Sequence, residues 1–189
     1  MIEPFSLMHV LWTTWVVVWL LAAAWSARTI ARQSSGSRLA HTLPMAAGAA
    51  LVFLRPALLG PLADPLFPQA SWVAWVACVM VAVGLGFSVW ARVHLGRNWS
   101  GTVTLKERHT LIRSGPYALT RHPIYTGLLL ALTGTMLARD SVAALVGLGL
   151  SAVGIVIKLR QEERLMLEHF GPAYSAYRAE VAALIPGLW

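Results

Sequence analysis

A chain of 189 residues that is 57% hydrophobic, only 12% charged and still carries a net charge of +7 is far more apolar than a soluble domain, in which about 25% of residues are charged. The composition marks an integral membrane protein. It leaves no room for a doubly wound nucleotide-binding domain, because the longest stretches outside the apolar runs, Arg92–Pro123 and Lys158–Trp189, are 32 residues each.

The first apolar run, Met8–Ala27, has 20 residues, enough for a hydrocarbon core of about 30 Å. It is too long for a cleavable signal and lacks a basic start, so it is expected to be a retained span. Trp12, Trp15, Trp19 and Trp25 fall on neighbouring faces of this helix, the pattern of packing and interfacial aromatics. Ser34–Ser37 reads as a flexible connector to a second run, His41–Gly60, in which Arg55 lies close enough to the end to snorkel as an anchor. Pro61, Pro65 and Pro68 then make a turn-rich external loop. The third run, Trp72–Ala91, holds the single cysteine, Cys78, which excludes a disulfide framework or thiolate metal site, and no metal is expected.

The fourth and fifth runs, Ile124–Ala138 and Ser141–Ile157, are separated only by Arg139 and Asp140 and should form a tight antiparallel hairpin. Gly127, Gly134, Gly147, Gly149, Ser151 and Gly154 would let its helices approach neighbours closely. The expected fold is therefore all-α, a polytopic membrane protein of about five transmembrane helices. Residues 1–70 form an N-terminal helix pair with its external loop, and residues 71–189 form a core of third helix, loop, hairpin and C-terminal helices.

Of the 15 basic residues, 13 lie between spans one and two, between spans three and four, or after span five. Alternating spans put all three segments on one side, which the positive-inside rule makes cytoplasmic, with the N-terminus outside. Nucleic acid is excluded as a partner, because the tryptophans sit in apolar spans rather than along a basic stripe. The C-terminal Pro-Gly-Leu-Trp carries no prenylation cysteine, so any lipid is expected to be bound rather than attached.

Two polar segments on the cytoplasmic face stand out. In His94–Gly127, alternation at Thr102–Leu105 suggests extended backbone, Gly115-Pro116 a turn, and Pro123 disfavours helix at His122 while suiting the first turn of the next helix. His109, Tyr117, His122 and Tyr125 thus occur in extended or turning backbone beside the membrane, more specification than a connector needs. The second segment is Lys158–Arg164, in which Lys158 and Glu162 share one helical face at the mouth of the hairpin. An amphipathic helix broken at Gly171-Pro172 follows, then a short helix with Tyr174 and Tyr177, expected to lie on the membrane surface.

GPYALTRHPIYTG, a hydrophobic hairpin and EERLMLEHFGPAYSAYRAEVAALIPGL, in that order and spacing, resemble the isoprenylcysteine carboxyl methyltransferase family of integral-membrane enzymes and, more broadly, the related phospholipid methyltransferases. The resemblance covers about His94–Leu188. It implies S-adenosylmethionine as cofactor, gripped by the cytoplasmic loop and the hairpin mouth through His109, Thr110, Leu111, Ile112, Tyr117, His122, Pro123, Ile124, Tyr125 and Glu162. It also implies a lipophilic or prenylated acceptor, and Lys158 stands where the family places an arginine near the substrate.

The residue types suit that chemistry. A sulfonium calls for aromatic faces such as Tyr117 and Tyr125, its ammonium or ribose for a carboxylate such as Glu162, and its carboxylate for a donor such as His122. A carboxylate acceptor is already ionised at pH 7 and needs no base, only in-line placement in a dry site, with Lys158 or Arg121 as the catalytic cation that holds it. An amine acceptor, as in a phospholipid N-methyltransferase, would call for a base, Glu163 or His109. Two other classes stay open: a non-enzymatic haem-binding or transport subunit using His9, His41 or His94, and a nicotinamide-dependent reductase-like protein.

Overall fold

The computed structural model describes residues 3–23, 29–32, 35–68, 70–96, 99, 104–106 and 110–187. It is helical: α1 (Pro4–Ala23), α2 (Ser35–Phe53), α3 (Ser71–Leu95), α4 (Pro123–Arg139), α5 (Val142–Phe170) and α6 (Pro172–Glu180). The all-α expectation is amended by one short ribbon. Strand β1 (Thr29–Arg32) pairs antiparallel with β2 (Thr104–Lys106), so the α1–α2 and α3–α4 connections meet at the same end of the bundle. β2 overlaps the segment whose alternation suggested extended backbone; residues 101–103 lie outside the described residues.

Among the described residues, three helices, α1, α3 and α5, are by length and composition long and apolar enough to cross a membrane. The 17 residues of α4 make about 25 Å at 1.5 Å per residue. α2 departs from its expected range at both ends. It begins at Ser35, so Ser35–Ser37 form its first turn rather than a flexible connector. It stops at Phe53 rather than Gly60, because Pro56 lacks an N–H and biases Arg55 to extended backbone (φ −66°, ψ 138°). Arg55 is exposed.

α5 is the largest departure. Its 29 residues measure about 43 Å, so the polar cluster after Ile157 continues the same unbroken helix past the apolar stretch. It ends at Gly171, whose φ of 51° is left-handed space that glycine enters without strain.

Packing follows the small residues. α3 lies on α4 and α2 on α5, both at backbone contact: a Cβ on Gly84 would sit 2.5 Å from the Gly127 carbonyl, and one on Gly147 would sit 2.6 Å from the Gly48 carbonyl. Gly149 corrects the expectation for this stripe, since it faces open space. α1 is fastened to the α3–α4 pair by two indoles, Trp15 Nε1 donating to Ser88 Oγ at 2.8 Å and Trp12 Nε1 to Thr135 Oγ1 at 3.0 Å. Many large apolar side chains of α1 and α3 remain uncovered, among them Leu20, Leu21, Val79 and Val93, as lipid-facing surfaces require.

Candidate functional site at the mouth of the hairpin

The backbone before α4 is irregular but tightly held. Gly115 (φ 59°) opens a 3-10 turn through Ala118, and a Cβ there would strike the His94 ring at 2.8 Å. Only glycine satisfies both the dihedral and the contact. His94 Nε2 meets Ser114 Oγ at 2.9 Å, and its ring stacks over that of Tyr117, 6.4 Å away. Tyr117 is buried in this turn. His122 is non-helical (φ −126°, ψ 59°), with Pro123 in the first position of α4, as the proline predicts.

Tyr125 follows, its ring stacked on that of His122 at 5.7 Å with 15° between planes. From the opposite side α5 presents three consecutive polar residues, each about 100° further round the helix than the last. They reach out in different directions, the second and third sharing His122. Gln161 bonds to His41 of α2 at 3.0 Å. Glu162 Oε1 accepts the Tyr125 hydroxyl at 2.6 Å, and its Oε2 lies 3.6 Å from His122 Nδ1. Glu163 receives Arg121 at 2.7 Å, His122 Nε2 at 3.4 Å and Arg178 Nε at 3.6 Å. One turn earlier the Lys158 ammonium stands 5.5 Å from the centre of the Tyr125 ring.

His122 thus lies between two carboxylates. Burial opposes a charge on its ring, but the hydrogen bonds and charges of Glu162 and Glu163 outweigh burial and raise its pKa above the ordinary value. Glu162 and Glu163 lie beyond the apolar part of α5. Burial pushes both carboxyls up, yet His122 with Lys158 and Tyr125 leaves Glu162 lowered, and His122 with Arg121 brings Glu163 to about 2. The two glutamates differ in access: the Glu162 side chain is 23% exposed and that of Glu163 10%. Glu162 therefore keeps acceptor capacity for a ligand, whereas Glu163 is enclosed by cations.

The C-terminal segment completes the site. Arg121 N donates to Ala182 O at 2.8 Å, His122 N to Ala183 O at 3.0 Å, and Thr126 Oγ1 to Leu184 O at 2.7 Å. The Arg121 guanidinium bonds the Val181 carbonyl, and the Tyr177 hydroxyl donates to Tyr117 O at 2.5 Å. Tyr174 and Tyr177, on one face of α6, are buried against the protein. Sequence reasoning missed residues 181–184, and it had little signal to find them: they act through backbone carbonyls, which any residue supplies.

Of the residues singled out from sequence, the structure brings together Arg121, His122, Tyr125, Lys158, Glu162 and Glu163. Ile124 packs in the apolar cluster behind Tyr125, with Ile155, Leu159, Ala183 and Leu184. Thr110 is exposed, and Leu111 and Ile112 are half-buried in the irregular backbone leading to Ser114. His109 lies outside the described residues. Arg121 is committed to Glu163 and the C-terminal segment.

Residues 69–168, just over half the chain, match the isoprenylcysteine carboxyl methyltransferase (ICMT) family. The chain is 32% identical over 131 residues to cobalt-zinc-cadmium resistance protein CzcN of Cupriavidus metallidurans, covering 67% of this chain and 59% of that protein. It is 30% identical over 125 residues to protein-S-isoprenylcysteine O-methyltransferase of Xenopus laevis, covering 65% and 43%. The human protein-S-isoprenylcysteine O-methyltransferase is 29% identical over 125 residues, covering 65% and 44%. The matched part spans about half the length of these relatives.

Proposed function

We propose, for a chain that belongs to the isoprenylcysteine carboxyl methyltransferase family, that it transfers a methyl group from S-adenosylmethionine to the carboxylate of a lipophilic, isoprenylcysteine-like acceptor. The observation that carries this reading is the partly exposed Glu162 carboxylate, held by Tyr125 and flanked by His122, within the family-matched segment.

The donor set fits the cofactor. Glu162 offers lone pairs to its ammonium or ribose hydroxyls, while His122, with both ring nitrogens turned to the glutamates, and the buried rings of Tyr125 and Tyr117 shape the wall behind it. Thr110, Leu111 and Ile112 offer backbone groups to its base, with His109, Pro123 and Ile124 completing the contacts. When bound, S-adenosylmethionine supplies an electrophilic methyl group on a sulfonium. Lys158 holds the acceptor carboxylate, which is ionised at neutral pH and attacks without a general base. Arg121 and Glu163 lock the loop to the C-terminal segment. What the protein contributes is alignment and exclusion of water.

In this reading all five helices α1–α5 span the bilayer, residues 71–189 are the methyltransferase core, and residues 1–70 are an added N-terminal pair. The mouth faces the cytoplasm and the N-terminus lies outside. Convergence of the basic connections on the β1–β2 end supports that orientation. Calorimetry of detergent-purified protein with S-adenosylhomocysteine tests the cofactor: binding is expected, and its survival in Glu162→Ala and Tyr125→Ala would refute this site. Radiolabelled methyl transfer into membrane extracts tests the acceptor. A base-labile label is expected for an ester; a base-stable label in lipid would mean N-methylation instead.

A further inference from the structure

Gln161 lies on α5 next to Glu162 and one turn from Lys158, yet its side chain turns to α2. Both atoms of its amide are engaged there: Nε2 donates to the Ser37 carbonyl at 3.2 Å, and Oε1 meets His41 Nδ1 at 3.0 Å. Because Nε2 is committed as a donor to a carbonyl, Oε1 is the atom left for the imidazole, and Nδ1 carries the proton of that bond. His41 is 3% exposed. Lys158, one turn before Gln161 on the same helix, thus lies between a hold on α2 and the face of Tyr125 on α4.

There is no slack in the α2–α5 contact. One to two turns deeper, a Cβ on Gly154 would sit 2.8 Å from the His41 carbonyl and 3.0 Å from Met45 N. With the two backbones this close, the rotation of α5 about its axis at the mouth depends on what its polar residues grip. Glu162 and Glu163 grip α4 and the segment before it. Gln161 is the counter-hold on α2, and a buried imidazole bonded to a neutral amide supplies it without neutralising Lys158. His41 lies outside residues 69–168, so this hold is not part of the family-matched segment.

We infer that His41 is a positioning residue: through Gln161 it sets the rotation of α5 that keeps the Lys158 ammonium at the mouth beside Tyr125, making α2 part of the acceptor side of the site. The kinetic consequence rests on the methyltransferase reading; the placement of Lys158 does not.

The test uses the full chain in detergent or nanodiscs. Lys106 and Lys158 are the only lysines, so reductive 13C-methylation gives a lysine resonance assignable to Lys158 with Lys158→Arg. His41→Leu is expected to shift that resonance and to raise KM for N-acetyl-S-farnesylcysteine at least tenfold. The S-adenosylhomocysteine Kd should stay within twofold and kcat within threefold. His41→Asn, whose amide N–H still reaches Gln161 Oε1, should restore most of both, and Gln161→Leu should match His41→Leu with no further loss in the double variant. An unmoved Lys158 resonance in His41→Leu, parallel loss of homocysteine-product affinity, or an Asn variant indistinguishable from Leu would overturn the inference. Failure of the wild type to bind S-adenosylhomocysteine would instead overturn the methyltransferase reading, while the Lys158 resonance still decides the positioning.

Discussion

The two ends of the helical bundle handle buried polar groups in opposite ways. At the α4–α5 turn, Asp140 adopts left-handed backbone (φ 42°) and its Oδ1 accepts from the N–H groups of Leu66 and Phe67 at 3.1 and 3.3 Å. Ser141 caps α5 by accepting from Ala144 N at 3.2 Å, and Arg139 bonds the Leu54 carbonyl. Each polar side chain there satisfies a backbone group that a chain terminus or turn leaves open. At the opposite end, side chains meet side chains. Two adjacent carboxylates, an imidazole, a tyrosine, a lysine and an arginine converge from α4, α5 and the segment before α4. The lesson is one of surplus: the hairpin turn carries polarity that closes the fold, and the mouth carries more than closure requires.

That contrast predicts how the ends respond to substitution. The largest effect belongs to Glu162→Gln. It removes the charge proposed to accept from the ligand, a hydrogen bond worth about 1.5–3 kcal/mol, while the amide oxygen of Gln can still accept the Tyr125 hydroxyl that Glu162 takes at 2.6 Å. S-adenosylhomocysteine affinity should fall roughly 10–100-fold by calorimetry, with little change in apparent melting temperature. An equal loss of both would mean that the mouth is structural after all.

A smaller effect is expected from pH. His122 has a raised pKa in the folded protein, so the stability it contributes is fully present below its unfolded value of about 6.5 and is lost as pH rises through the folded value. Apparent melting temperature should therefore decline as pH climbs just above that range, and His122→Gln should flatten the decline. Glu163 has the opposite sign, its contribution lost only as pH falls toward about 2. The smallest effect on ligand affinity is expected at the hairpin turn. Asp140→Ala strips two N–H groups of their acceptor and puts a β-carbon residue without a side-chain hydrogen bond in left-handed backbone, costing about 1–2 kcal/mol. It should lower the melting temperature while leaving S-adenosylhomocysteine affinity within twofold.

Much of this architecture was legible without coordinates. The apolar runs located the helices because only a backbone that bonds within itself survives in hydrocarbon, and the hairpin at Arg139–Ser141 followed from the absence of any longer connection. Pro123 announced the start of α4, and Lys158 and Glu162, four apart on a helix, announced a shared face. Other elements were misjudged for physical reasons. Helix is expected on both sides of Ile157 and a break at Gly171-Pro172, where α5 ends; what hydropathy hid is that the apolar span and the polar helix after it are one unbroken helix. The early start of α2 at Ser35 ran against serine and glycine propensities, which packing and a hydrogen bond from Gln161 override.

What the sequence by itself determined is which segments are apolar and the chemical inventory of the mouth, since hydropathy, proline position and charge are local properties. What only the tertiary structure decided is who meets whom. That Gln161 turns to His41 while Glu162 and Glu163 share His122, that Arg121 pairs with Glu163, and that the carbonyls of residues 181–184 hold the segment 121–126 all depend on the rotation of α5 and on distant backbone. No local pattern encodes a carbonyl's partner 60 residues away.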